Sequence, residues 1–224
     1  AALAITPTIT NVSCNGGSNG AIDIVVSGGV ATGGSVTATE GYQYSWTGAG
    51  VVATAQNQTG LVAGTYTVTV TDDNGCTTSA SYTITQPIVL MASAVATNPL
   101  CSTGTGSIDL SPSGGTATGG TVTATEGYQF SWSNTATTED ISGLTANTYT
   151  VTVTDDNGCT ATTSVTIVIP SAITASIVPT QISCNGGLGS LDLTASGGTG
   201  ALTYDWSNDG AESPDNDAQD ISGL

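Results

Sequence analysis

The chain has 224 residues, 42 of them threonine and 30 glycine, and its 17 Asp and Glu face no Lys, Arg or His, for a formal net charge of −17. Nothing in it can neutralise a phosphate backbone, so nucleic-acid binding is excluded, and an anionic membrane surface repels it. Without histidine or lysine there is no Ser-His-Asp or Cys-His machinery, no Schiff base, no P-loop and no Lys–Asn isopeptide link.

An apolar fraction of 38%, set in regular β-branched runs, predicts a folded chain. No apolar run approaches the ~18 residues of a membrane helix. The chain opens at Ala1 with neither methionine nor a basic leader, which reads as part of a longer, processed protein.

Five short strands are predicted first, over residues 5–12, 21–27, 42–47, 65–71 and 77–85. The third puts Tyr44 and Trp46 on one face, and the fourth alternates Thr with Tyr66, Val68 and Val70, giving one apolar and one wet face. Between the last two lies Asp72-Asp73-Asn74-Gly75, where Asn-Gly is a strong hairpin-turn signal.

The same elements then recur. Thr65 to Cys76 returns as Thr148 to Cys159, identical over twelve residues, and Cys14-Asn-Gly-Gly returns as Cys184-Asn-Gly-Gly, with Cys101 between. Trp46, Trp132 and Trp206 mark one slot, and Asp23, Asp109 and Asp192 another. The chain therefore divides into residues 1–87, 88–170 and a partial third repeat, 171–224. Leu61 and Leu144 each precede a cysteine by 15 positions, so the third repeat, reaching its equivalent Leu224, predicts a further strand and a cysteine near position 239.

About seven strands in a repeat of 83–87 residues, with a tryptophan on the third, predict an all-β fold. Its architecture is expected to be tandem immunoglobulin-like β-sandwich repeats stacked through short linkers into a rod. Leu61-x-x-Gly64-x-Tyr66 reads as a tyrosine corner. The first two repeats carry a nine-residue excess within residues 31–41 and 117–127, expected to lengthen the hairpin between the second and third strands.

These residues resemble the SprB repeat family. The marks are Cys14-Asn-Gly-Gly, the Gly28-Gly29 turn, Tyr44-Ser-Trp46, Leu61-x-x-Gly64-Thr-Tyr66-Thr-Val-Thr-Val-Thr-Asp72 and Asn74-Gly75-Cys76. The resemblance implies very large surface adhesins of Bacteroidetes, gliding-motility adhesins among them, exported by type IX secretion. It brings no catalytic residues, and the chain is expected not to be an enzyme.

Five cysteines in an exported β-rich chain suggest disulfides. One scheme pairs them within repeats, as Cys14–Cys76 and Cys101–Cys159. The other pairs Cys14 with Cys159, between repeats. Strand polarity favours the second: the first and last strands of a sandwich run parallel, so Cys14 and Cys76 flank opposite poles about 23 Å apart, whereas a bridge spans a Cα separation of only about 7 Å. On this scheme Cys76 pairs with a preceding repeat and Cys101 with the cysteine near position 239.

Carboxylates supply the candidate metal ligands. Asp72 and Asp73, their copies Asp155 and Asp156, and Asp209, Asp215, Asp217 and Asp220 offer hard oxygens suited to Ca²⁺. The Asp-Asp-Asn-Gly segments read first as polar turns, because Asn-Gly accounts for them, and no EF-hand spacing is present. No cofactor is required by the sequence, and Ca²⁺ is the one candidate ion. Tyr44, Trp46 and Tyr66 sit at inward positions, and Tyr42 and Tyr128, beside the insertions, are the better exposed candidates for stacking on a sugar. The threonine runs read as the wet face of a strand.

The expected function is an extracellular repeat segment of a large cell-surface adhesin, acting as stalk or surface filament in adhesion or motility. The alternative is a carbohydrate-binding module within such an adhesin. Expected partners are cell-surface or glycan ligands, and other copies of the chain if it forms a filament.

Overall fold

The computed structural model describes residues 1–31, 41–117, 127–206 and 219–222, and among them every regular element is a β-strand. The two nine-residue insertions fall largely outside the described residues. Two compact units result. One comprises Ala1–Ser93, Ser111–Thr137 and Val151–Thr163, and the other Ala94–Leu110, Thr138–Thr150 and Ser164–Leu224.

The first repeat contributes β1 (Ala4–Thr10), β2 (Gly20–Ser27), β3 (Gln43–Thr47), β4 (Gln58–Leu61), β5 (Gly64–Thr71) and β6 (Thr77–Ile84). They form two three-stranded antiparallel sheets, ordered β1-β2-β4 and β3-β5-β6. Alternation decides which side chains face inward. Ile22, Ile24 and Val26 of β2 meet Tyr44, Trp46, Tyr66, Val68 and Val70 of the other sheet, and Leu61 and Ile84 close the ends. The inward faces expected for Tyr44 and Trp46 and for Tyr66, Val68 and Val70 are thus the observed ones, and the fold is an immunoglobulin-like sandwich of six strands. The strand that sequence did not predict is β4. Its four residues, Gln-Thr-Gly-Leu, carry no run of β-branched side chains, and its pairing to β2 includes a register shift.

The wet face of β5 and β6 is a ladder of hydroxyl pairs. Thr67 meets Ser81 and Thr69 meets Ser79, each at 2.8 Å.

The second repeat repeats the plan with β7 (Met91–Thr97), β8 (Gly106–Ser113), β9 (Gln129–Trp132), β10 (Ile141–Leu144), β11 (Asn147–Thr154) and β12 (Thr160–Ile167), in sheets ordered β10-β8-β7 and β12-β11-β9. The third shows β13 (Thr174–Thr180), β14 (Ser190–Ser196) and β15 (Ile221–Ser222) in one sheet. Trp206 is half-buried and lies outside any strand. In the first two repeats that tryptophan's strand pairs with the Thr-Tyr-Thr-Val strand, of which the sequence holds two copies.

Three local devices hold each sandwich. The tyrosine corner is present: Tyr66 Oη donates to the Val62 carbonyl at 2.8 Å and Tyr149 Oη to that of Thr145 at 3.1 Å. Glycine pairs turn the chain out of β2, β8 and β14. At Gly28, φ is 78° and a Cβ would stand 1.9 Å from the Ala2 carbonyl oxygen, so no other residue fits. Tyr42 Oη donates to the Gly28 carbonyl and Tyr128 Oη to that of Gly114, each at 2.7 Å. These two tyrosines are buried, 6% and 5% exposed, which corrects the expectation that they face solvent. A ring near a loop still packs inward when its hydroxyl finds a carbonyl to bond.

Candidate functional site: the cysteine joint

Cys14 and Cys159, 145 positions apart in sequence, are joined by a disulfide with a Cα–Cα distance of 5.7 Å. Cys76, Cys101 and Cys184 are free thiols and exposed. The pairing is thus the one between repeats. The physical reason is visible in the first sandwich. The Val12 N–H donates to the Thr85 carbonyl and the Thr85 N–H to Asn11 Oδ1, so β1 and β6 run parallel and end at one pole. Cys14 lies at that pole, and Cys76 precedes the eight-residue β6 at the other, about 25 Å away.

Each half of the joint is held by its own hydrogen bonds. On the Cys14 side the Cys14 carbonyl accepts the Gly17 N–H at 3.0 Å. Asn19 Oδ1 accepts the Ser13 N–H at 3.0 Å and its Nδ2 donates to Ser13 Oγ at 2.7 Å. Asn15 Nδ2 donates to the Pro87 carbonyl at 2.9 Å, and the Gly16 N–H to Gln86 Oε1 at 2.8 Å. The turn is therefore anchored to the segment that follows β6.

On the Cys159 side the anchor is Asp155, buried at 4% exposure. Its Oδ1 accepts the N–H groups of Asn157 at 3.0 Å and Cys159 at 2.8 Å, and its Oδ2 accepts that of Thr116 at 2.8 Å. Asn157 Nδ2 then reaches the Ser13 carbonyl at 3.0 Å and Thr116 Oγ1 at 3.0 Å. The covalent bond is thus flanked by an amide–carbonyl hydrogen bond to the residue beside Cys14.

The free turn at Cys76 has the same construction. Asp72 Oδ2 accepts the Val30 N–H at 3.0 Å, and Oδ1 accepts those of Asn74 at 3.0 Å and Cys76 at 2.8 Å. The backbone N–H groups of Val30, Cys76 and Asn74 hold the Asp72 carboxyl below the usual carboxylate range, against the opposing effect of burial.

The other candidate ligands are dispersed. Asp73 and Asp156 donate their backbone N–H groups to the Val30 and Thr116 carbonyls at 3.1 Å. Asp220 Oδ1 accepts the Leu193 N–H at 2.9 Å. Asp140 does the same for Leu110 at 2.9 Å and Asn57 for Ile24 at 3.0 Å, so this is a strand-anchoring position common to the three repeats. Its signal was legible as Asn57-x-x-Gly-Leu, Asp140-x-x-Gly-Leu and Asp220-x-x-Gly-Leu, five residues repeated three times. Asp209, Asp215 and Asp217 lie outside the described residues. Among the described residues no group of three or more His, Cys, Asp or Glu is placed to hold a metal ion. A polar core residue that sequence reasoning missed is Gln58, 2% exposed, whose amide bonds the Val52 N–H and carbonyl at 2.8 and 2.9 Å and so pins the loop beneath Trp46.

Residues 6–51 and 176–211 match the SprB repeat. The chain resembles the SprB repeat family. The matched stretches hold Cys14, the Gly28-Gly29 turn, Tyr44 and Trp46 of the first repeat and Cys184 and Trp206 of the third, whereas the Leu61–Asp72 and Asn74–Cys76 marks lie outside them. No curated protein matches the chain. Among solved structures it is similar to domains 1–6 of the surface layer protein SbsC, with 15% identity and a TM-score of 0.32, over 90% of this chain and 40% of that one. It is also similar to Dpr2 Ig1-Ig2 in complex with DIP-Theta Ig1-Ig3, with 9% identity and a TM-score of 0.30, over 86% of this chain and 76% of that one.

Proposed function

We propose that this chain is a non-enzymatic SprB-type repeat segment of a large extracellular, cell-surface protein, and that it acts as a covalently braced stalk in adhesion or motility. The repeats 1–87, 88–170 and 171–224 are its building units. One observation carries the reading: the Cys14–Cys159 bond staples one repeat to the next. A bridge inside a single sandwich would stabilise that sandwich alone. A bridge across repeats shields the segment between its ends from extension when the chain is pulled.

The composition supports the same role. With no Lys or Arg, the surface offers trypsin-like proteases no cleavage site, and the charge of −17 keeps neighbouring copies apart at low salt. The glycan-binding alternative has less support. The two rings expected to serve it, Tyr42 and Tyr128, are buried, which leaves the half-buried Tyr82, Tyr204 and Trp206 as the most accessible aromatic side chains.

Single-molecule pulling from the two termini tests the proposal. The oxidised chain is expected to withhold the contour of the 145 bridged positions, roughly 500 Å at about 3.4 Å per residue, and to release it on reduction. Equal extension in both redox states would remove the braced-stalk reading.

A further inference from the structure

Two asparagine–glycine pairs share their sequence context and differ in what their side chains touch. Thr65 to Cys76 and Thr148 to Cys159 agree at all twelve positions, so Asn74-Gly75 and Asn157-Gly158 have the same neighbours along the chain. Both asparagines and both glycines are exposed. Gly75 and Gly158 have φ of 79° and 80°, with open space where a Cβ would lie. Their N–H groups donate to the Asp72 and Asp155 carbonyls at 2.9 and 3.0 Å. The difference lies at one side-chain amide. Asn157 Nδ2 donates to the Ser13 carbonyl and to Thr116 Oγ1, both at 3.0 Å. At the first turn Val30 stands in the place of Thr116 and has no hydroxyl, and Cys76 is bonded to no turn of the 224-residue chain.

An asparagine before a glycine can react with its own backbone, because glycine has no Cβ to shield its peptide nitrogen. That nitrogen, after giving its proton to solvent base, attacks the asparagine Cγ. A C–N bond forms and closes a five-membered imide, the Cγ–Nδ2 bond breaks, and the amide leaves as ammonia. Water then opens the imide at one of its two carbonyls, giving aspartate or isoaspartate. Nothing is oxidised or reduced, and water is the one co-reactant. At Asn157 the first step needs Cγ to swing over the Gly158 nitrogen and Nδ2 to depart. Both require the two hydrogen bonds of Nδ2 to break.

We propose that Asn157-Gly158 is a deamidation site kept latent by the closed joint, and that opening the Cys14–Cys159 bond releases it. Ser13 adjoins Cys14, so the disulfide is what keeps the Ser13 carbonyl at Asn157. Once made, the change is one-way. A carboxylate at position 157 has no N–H to give the Ser13 carbonyl, and it adds negative charge beside Asp155 and Asp156 in a chain without Lys, Arg or His. Isoaspartate also inserts a methylene into the backbone between Asp155 and Cys159, which displaces the Cys159 N–H from Asp155 Oδ1. A joint that has opened and aged therefore recloses less readily than one that has only opened. The inference rests on the geometry of the joint and stands whether or not the chain is a stalk.

The test is to age the 224-residue chain in mildly alkaline buffer, oxidised and after reduction with dithiothreitol, and to follow both asparagines by chymotryptic peptide mapping. The peptides differ after the cysteine, Thr77-Thr78 against Thr160-Ala161, so each site is read separately in one molecule. In the oxidised chain Asn157 is expected to convert roughly tenfold or more slowly than Asn74, since two hydrogen bonds must first break. Reduction, or Cys14→Ser with Cys159→Ser, should raise the Asn157 rate toward that of Asn74 and leave Asn74 unchanged. Thr116→Val, which copies Val30, should raise it part-way with the bridge intact. Unfolding has a different signature, since it brings both sites to the single rate of the urea-unfolded chain. Asn157→Asp should slow reoxidation of Cys14–Cys159, and Asn74→Asp should not.

Equal rates at the two sites in the oxidised chain overturn the proposal, as does an Asn157 rate indifferent to opening of the bridge. Unimpaired reoxidation of the Asn157→Asp chain overturns the weakened reclosure. None of these results alters the contour withheld by the intact bridge, so failure of the latent site is distinguishable from failure of the braced stalk.

Discussion

Asp155 Oδ1 accepts the Cys159 N–H at 2.8 Å, so the cysteine bonded to Cys14 stands on a turn held by a buried carboxylate. The carboxylate fixes the Cys159 backbone while Asn157 reaches the Ser13 carbonyl, so both side chains orient the turn beside the bond. Asp155→Ala leaves three backbone donors without their acceptor. It is expected to cost about 2–3 kcal/mol in chemical unfolding and to slow formation of the Cys14–Cys159 bond during oxidative refolding.

Removing the bond itself acts on the unfolded chain. A closed loop of 145 positions restricts the unfolded ensemble by about 5 kcal/mol on the loop-entropy model. The double change Cys14→Ser with Cys159→Ser should lower stability toward that amount, with the near-ultraviolet signature of the tryptophans retained. A loss of folded signal at ambient temperature would mean that the first sandwich cannot stand without its bridge.

Stability should depend on pH in one acid window. The Val30, Cys76 and Asn74 N–H groups depress the Asp72 carboxyl below its ordinary value of 3.8. The unfolded chain therefore binds the proton first as pH falls. The contribution is complete above the unfolded value and is lost as pH drops through the lower folded one. Melting temperature should be flat between about pH 5.5 and 7.5, because no histidine is present, and should fall below about pH 4. Asp72→Asn should shrink the acid slope; an unchanged slope would assign it to other carboxylates.

Facing can be checked by paired substitutions. Trp46 is 3% exposed and its Nε1 donates to the Ala55 carbonyl at 2.8 Å. Trp46→Ala is expected to cost about 3–5 kcal/mol. Thr67→Ala, on the hydroxyl ladder, should cost under about 1 kcal/mol. Similar losses at the two sites would contradict the observed inward and outward faces.

Gly28→Ala should be among the most damaging small changes. Its positive φ and the Ala2 carbonyl oxygen 1.9 Å from the added Cβ force the chain end away from β2. A loss of about 2–3 kcal/mol is expected in thermal or urea unfolding. Gly50, also at positive φ but with open space around it, should cost only its backbone strain, about 1 kcal/mol.

The repeat, the inward faces of the third and fourth predicted strands and the turn chemistry are legible in the residues alone. Period-two alternation in Tyr66, Val68 and Val70 admits one burial pattern, and Asn74-Gly75 admits few turns. Composition alone removed the chemistry that needs Lys, Arg or His. Tertiary structure decided the rest. Tyr42 and Tyr128 are buried because the Gly28 and Gly114 carbonyls lie within reach of their hydroxyls, which no local pattern records. β4 exists because β2 offers it an edge, not because Gln-Thr-Gly-Leu prefers to extend. Gln58 is a core residue because the carbonyl and N–H of Val52 satisfy its amide. Strand polarity could weigh one cysteine pairing against another, but the bond from Cys14 to Cys159 required the placement of two turns 145 positions apart. Distance along the chain says nothing of distance in space, and only the folded backbone brought those sulfurs together.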